Sequence, residues 1–264
     1  MNNQKPLLEN LDTDLVGYMT GDQEKVRKAQ KMAGSLGTTI VSTGALAGTV
    51  FGRGQQLPDQ IMDVLNFALT LEYLEDEYYR TALASSGLIP AETRDVFGQI
   101  GKHETAHVAL LKSVLGDKAA KKPNFDFTAG GKFADVFSNY QTFLALSQAF
   151  EDTGVRAYKG QAANLKSNDK ILTTALQIHS VEARHAAVVR RIRGETAWIT
   201  RDSRGTLPAA ADPVYFAERK TSEAGVVLEA VTKLSADTLS QAFDEPLSKN
   251  QVLGIAALFI KGLS

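Results

Sequence analysis

One short pattern occurs twice in the middle of this chain, as Glu104-Thr105-Ala106-His107 and as Glu182-Ala183-Arg184-His185, each a Glu-x-x-His. Each copy follows a lone glutamate about thirty residues upstream, Glu72 for the first and Glu151 for the second. Residues three apart on an α-helix share a face one turn apart, so Glu104 and His107 point into the same space, as do Glu182 and His185. A single such pair is commonly a chance feature of an exposed turn. Two pairs in matching register, using two of only four histidines, call for a common explanation. Four carboxylates and two imidazoles projecting inward from four helices form the ligand set of a dinuclear metal site.

Charge agrees with that reading. Four carboxylates carry about four negative charges, which two divalent cations cancel, while neutral imidazoles complete the coordination without adding charge. The two halves also repeat each other: Tyr79 follows Glu72 by seven residues, and Tyr158 follows Glu151 by seven. That register selects Glu72 among the glutamates of the first helix. Glu75 and Glu77 are then expected as solvated or ion-paired surface charge, because carboxylates usually face water. Tyr79 and Tyr158 lie two turns from their glutamates on nearly the same face. Each is a candidate to hydrogen-bond a ligand or to supply an electron beside an oxidised metal, the alternative being a core aromatic with a satisfied hydroxyl. His179 precedes Glu182 by three residues and shares its face, although Gly101 stands at the corresponding place in the first half. His103 points about 100° away from Glu104 and is not expected to be a ligand.

The breakers place four helices. Pro58 opens an apolar-periodic stretch that closes at Ser85-Ser86-Gly87, and Pro90 opens a second that closes at Gly116. The segment 117–132 holds Lys121-Lys122-Pro123 and Gly130-Gly131, too long and too broken for a tight turn, so it is expected to cross the bundle. A third helix is read from Phe133 to Leu165, weakened by Gly154 and Gly160 at about 1 kcal/mol each relative to Ala. Gly154 is read as easing a close approach or a bulge beside the site. Ser167-Asn168-Asp169 caps a fourth helix that ends at Gly194. Short, long and short connections are the order of a bundle with one crossover.

With 264 residues, 44% apolar content and a net charge of −1, the chain has the composition of a globular protein and no broad basic surface for nucleic acid. The lack of cysteine removes disulfides, thiolate metal sites and a thiol nucleophile. Lys25, Arg27, Lys28 and Lys31 lead into an uncharged stretch, 32–52, that contains Ala45-Leu46-Ala47. This is similar to an export leader with a long basic region, which would place the protein in the periplasm or outside the cell; otherwise it is cytoplasmic. The stretch is too rich in Gly and Thr for a stable membrane span.

Residues 57–194 resemble a ferritin-like domain of the bacterial branch that includes desiccation-related proteins. Leu71-Glu72-Tyr73-Leu74-Glu75 and the two Glu-x-x-His motifs carry the resemblance, and the tail from Ala242 to Ile260, opening Ala-Phe-Asp-Glu-Pro-Leu, is similar to the closing segment of that branch. The resemblance implies an all-α fold: a ferritin-like four-helix bundle with one long crossover, an N-terminal arm over 1–56 and a C-terminal helical extension over 195–264. It implies two iron ions, with manganese the alternative. Glu72 and Glu151 would be terminal ligands, Glu104 and Glu182 would bridge, and His107 and His185 would bind one metal each. The implied activity is oxidation of Fe(II) by oxygen or peroxide, of ferroxidase or peroxidase type, in oxidative or desiccation stress. Manganese catalase-like disproportionation of peroxide, or a structural stress protein held together by its metals, would use the same residues. The two extensions would obstruct packing into a ferritin cage, leaving a homodimer as the default assembly.

Overall fold

The computed structural model of the chain describes residues 57–262. The N-terminal arm, with its export-like segment 25–52, lies outside the described residues. Four long helices make the bundle: α1 Asp59–Ala84, α2 Ala91–Leu115, α3 Tyr140–Gln161 and α4 Asp169–Ile192. α1 packs chiefly on α2, and α3 on α4, as two hairpins. The hydroxyls of Thr93 and Tyr140 meet at 2.6 Å, bringing the starts of α2 and α3 together, so these two helices run parallel. Gln60, at the start of α1, bonds Asn164 just beyond α3 at 3.3 Å. The connections are therefore short, long and short, and the fold is the all-α bundle with one long crossover.

Local chemistry explains where the helices begin and end. Pro58 and Pro90 stand immediately before α1 and α2, where a fixed φ and a missing N–H cost nothing. The Asn168 side chain accepts the Ile171 N–H at 3.1 Å and caps α4. α3 begins at Tyr140, later than the Phe133 start read from apolar spacing. Gly130 and Gly131 take positive φ, the chain continues in turns through buried Val136, and the Asn139 side chain accepts the Gln141 N–H at 3.0 Å. The apolar residues of 133–138 thus pack as a turn against the bundle, and the asparagine cap defines where helix can start.

α3 runs unbroken through Gly154 and Gly160, with no bulge at either. At Gly160 a Cβ would stand 2.0 Å from the carbonyl oxygen of Leu247. The missing side chain lets the tail backbone lie directly on α3.

Two apolar clusters fill the bundle. One is rich in aromatics, with Tyr78 stacked on Phe143 at 5.4 Å and edge-on to Phe150 at 4.9 Å. The other holds Ile61, Leu65, Leu69, Leu111, Leu165 and Ile178. The Glu-x-x-His layer lies between them.

The extension beyond α4 is largely irregular rather than helical. It comprises a 3₁₀ turn at Ala209–Tyr215, the antiparallel pair β1 Ser222–Glu223 and β2 Val226–Val227, and three short helices, α5 Leu228–Val231, α6 Ala236–Ser240 and α7 Lys249–Ala256. Arg156, fully buried on α3, holds it. Its guanidinium donates to the carbonyls of Glu245, Val214 and Phe216 and pairs with Glu218 at 2.7 Å. The crossover is tied to the chain end as well, through Asp126 N–H to Phe259 O at 2.8 Å and Lys261 N–H to Asn124 O at 2.9 Å. Among the described residues no helix is long and apolar enough to cross a membrane.

Candidate metal centre

Each bundle helix supplies its part of the site from one inward turn. α1 carries Glu72, α2 Glu104 and His107, α3 Glu151, and α4 Glu182 and His185. All four glutamates are 0% exposed and the two histidines 8% and 4%. His107 Nδ1 lies 3.1 Å from Glu72 Oε2, 3.1 Å from Glu104 Oε2 and 3.2 Å from Glu182 Oε1. His185 Nδ1 lies 2.9 Å from Glu104 Oε1, 3.2 Å from Glu151 Oε2 and 3.7 Å from Glu182 Oε2. Glu104 and Glu182 therefore each turn one oxygen toward one histidine and the other oxygen toward the other. Glu72 and Glu151 each face one histidine only. The result is two overlapping groups of four potential ligands, Glu72–Glu104–His107–Glu182 and Glu104–Glu151–Glu182–His185.

Several of these atoms are buried without a hydrogen bond: Glu104 Oε1, Glu151 Oε2, both oxygens of Glu182, and His185 Nδ1. Buried polar atoms in native proteins are normally satisfied. Here they approach one another closely but with the wrong angles for hydrogen bonding, converging on common points instead. Oxygen and nitrogen ligands bind first-row metals at about 2.0–2.2 Å, which puts neighbouring ligands in a right-angled arrangement about 3 Å apart. The distances and the orphaned atoms both fit two such ions.

The electrostatics point the same way. Burial, reinforced by the charge of Glu182, pushes the Glu104 carboxyl well above the usual carboxylate range, and burial lifts Glu151 to about 7. Burial opposes the charged imidazolium of His185, but the charge of Glu151 and the close approach of the Glu104 carboxylate overcome it and raise the group to about 12. His107 is raised likewise by Glu72 and Glu104 against the effect of burial. Glu182 is driven down to about 2, because both histidines outweigh its desolvation. The carboxylates thus favour positive charge at both histidine positions.

The tyrosines cross over. The Tyr79 hydroxyl on α1 donates to Glu151 on α3, and the Tyr158 hydroxyl on α3 donates to Glu72 on α1. Burial and the adjoining carboxylate push both phenols well above their ordinary range, so both stay protonated donors.

The sequence profile of a family described as Ferritin-like domain matches residues 60–195, just over half of the chain. This chain belongs to the ferritin-like family. No curated protein matches it.

Around the six residues this ferritin-like protein departs from the sequence reading in two places. Glu75, read as surface charge, is only 3% exposed and lies beside the site. Burial, with Glu182 and Glu151 adding to it, raises its carboxyl well above the ordinary range. Glu77 does face outward, where it pairs with Lys122 and with Arg80. His103 also reaches the site: its Nδ1 lies 2.9 Å from His185 Nε2, and Gln99 bonds its other nitrogen at 2.7 Å. The spacing of His103 and His107, four apart on one helix face, was the signal for it. His179 is in neither ligand group and packs toward the backbone of Val155. A further buried network had no sequence signal. Arg190 on α4 grips Asp152 on α3 through both carboxylate oxygens, and Tyr215 of the tail donates to Asp152 at 2.7 Å.

Proposed function

We propose that this protein is a dinuclear metal protein, with two iron ions as its resident metals, that oxidises Fe(II) with dioxygen or peroxide. The observation that carries the reading is the sharing of Glu104 and Glu182 between His107 and His185, each through separate oxygens. In this reading Glu72 and His107 complete one metal position and Glu151 and His185 the other. Two Fe(II) ions would supply two electrons, the number that takes dioxygen to peroxide or peroxide to water.

The chain's own residues do the rest. The shared carboxylates hold the two positions adjacent, and Tyr79 and Tyr158 fix the terminal carboxylates by donating to the oxygen that faces away from the histidine. His103 holds the far nitrogen of His185 and so sets which nitrogen faces the carboxylates. The apolar clusters on either side limit the access of water.

One feature supports dioxygen as the oxidant over peroxide. An apolar cavity lies next to the ligand layer, lined in part by Ala68, Leu111, Tyr158, Ala175 and Ile178. Ala68 is four residues before Glu72, Leu111 four after His107 and Ile178 four before Glu182, so the cavity is one helical turn, about 5.4 Å, along the bundle. Apolar cavities stay dry and admit small apolar molecules, whereas peroxide would give up its hydrogen bonds to enter.

The same nitrogen and oxygen donors would accept manganese, and a manganese catalase-like reaction is the second reading. Anaerobic loading of the full-length protein, with metal counted after gel filtration, tests the proposal. Two ions per chain and consumption of oxidant by the iron-loaded form are expected. Less than one ion per chain with both metals sinks it, and oxygen evolution from peroxide by the manganese-loaded form moves the assignment to the second reading.

A further inference from the structure

Glu75 has no role in the six-ligand set. It follows Glu72 by three residues, hence lies on the same face of α1 one turn on, and is 3% exposed. Its crevice is lined by Leu71, Leu74, Phe150, Ile255 and Ala256, all apolar, with Thr153 and Gly154. Among the described residues no hydrogen bond or ion pair reaches its carboxylate. A buried carboxyl without a donor or a cation is a costly thing to retain. The cost falls if a cation arrives.

Gly154 shows where the carboxylate is directed. Glu75 Oε1 lies 3.3 Å from the point where a Cβ on Gly154 would stand, and Glu182 Oε2 lies 3.5 Å from the same point. Two carboxylates from different helices thus meet beside Gly154, Glu75 close enough to press on a side chain placed there and Glu182 at ordinary contact distance. Gly154 follows Glu151 by three residues, as Glu75 follows Glu72, so the internal repeat places a carboxylate at this step on α1 and a gap at the same step on α3. Glu182 Oε2, the oxygen at that point, is the one turned toward His185, and Gly154 stands one turn from Glu151. Glu75 therefore adjoins the Glu151–His185 half of the site. His103, which bonds His185, marks that same half.

We propose that Glu75 is a fifth carboxylate and seventh ligand of the metal centre, recruited beside Gly154 to the metal held by Glu151 and His185. The inference rests on the dinuclear reading above. Its consequence is that the two metal positions, equivalent by the repeat, differ in affinity. The Glu151–His185 position has an additional anionic ligand, and the Glu72–His107 position does not.

Mn(II) titration of the full-length protein, followed by calorimetry and by electron paramagnetic resonance, tests this. Wild type should bind two ions with two distinguishable affinities. Glu75→Gln keeps the size and removes the charge, and should weaken one of the two steps about tenfold or more, leaving the other unchanged. The metal-free variant should melt no lower than metal-free wild type, which separates lost ligation from lost folding. Gly154→Ala, whose Cβ would press on Glu75 Oε1 at 3.3 Å and displace it, should weaken the same step. Should Glu75→Gln be poorly folded, Glu75→Asp retains the charge but falls short of the gap, and weakening of that one step is again the expected result. Two binding steps within twofold of wild type in the Glu75 variant that folds would overturn the proposal while leaving the dinuclear reading standing. Failure of wild type itself to bind two ions would overturn both.

Discussion

The Tyr79 hydroxyl on α1 donates its hydrogen bond to Glu151 on α3, not to Glu72 on its own helix. Tyr158 on α3 returns the bond to Glu72. Each tyrosine thus links the two hairpins through a carboxylate that faces a histidine. Tyr79→Phe and Tyr158→Phe each remove a donor from a buried carboxylate. Each is expected to weaken metal binding about 10–100-fold and to destabilise the metal-free protein by about 1–3 kcal/mol. Urea unfolding and Mn(II) titration of the single variants measure both effects. Wild-type affinity in both variants would show that these bonds do not position the terminal carboxylates.

Metal should raise the melting temperature, because the folded site binds the ions and the unfolded chain offers no such arrangement. Free metal at a hundred times the dissociation constant adds about 2.7 kcal/mol per site. Glu104→Ala and Glu182→Ala should each abolish most of that gain, since each carboxylate faces both histidines. An undiminished metal-dependent shift in either variant would mean that these residues are not shared between the two ions.

Protons should leave as metal arrives. His185, raised to about 12, and His107, also raised, are protonated at neutral pH in the metal-free protein. Their contribution to metal-free stability is complete below the ordinary histidine value of about 6.5 and is lost only as pH climbs through the raised folded value. For Glu182, lowered to about 2, the contribution is present above the ordinary carboxylate range and lost as pH falls toward 2. Moderate acid therefore spares the pairing of the histidines with Glu182, whereas Glu151, lifted to about 7, takes up a proton as pH falls below that value; metal has to displace the imidazolium protons, and its affinity falls as pH falls. Calorimetry in two buffers of different ionisation enthalpy should report release of about two protons or more per dinuclear site; zero release would contradict the assigned protonation.

Arg156 is the link between α3 and the tail. Truncation by Arg156→Ala strips donors from three carbonyls and leaves Glu218 buried without its cation. Breaking a buried pair in this way costs about 3–5 kcal/mol. Limited proteolysis should then cut the chain beyond α4 while the bundle survives. Protection of the tail equal to wild type would show that Gly160 and the apolar contacts hold it without the guanidinium.

Filling the apolar cavity should slow the use of dioxygen without changing metal content. Ala175→Leu adds bulk one helical turn or more from the ligands, and Ala175 lies on the cavity wall. Fe(II)-loaded variant protein is expected to consume dioxygen several-fold more slowly while its rate with peroxide stays near wild type. Equal slowing with both oxidants would mean that the cavity is not a path for the apolar one.

The pairing of Glu104 with His107 and of Glu182 with His185 was legible in the chain because both members of each pair lie on one helix, where the 3.6-residue turn alone decides which side chains share a face. The order of short and long connections was legible for a similar reason, since Pro58, Pro90, Gly116 and Asn168 act on the backbone within a residue or two of their own position. What lies across helices was not. The burial of Glu75 beside an outward-facing Glu77, the contact of His103 with His185, the crossed bonds of Tyr79 and Tyr158, and the grip of Arg156 on the tail all depend on how each helix is rotated about its axis and on what packs over it. Those are properties of the packed molecule, decided by many weak contacts between residues far apart in the chain, and no local spacing encodes them.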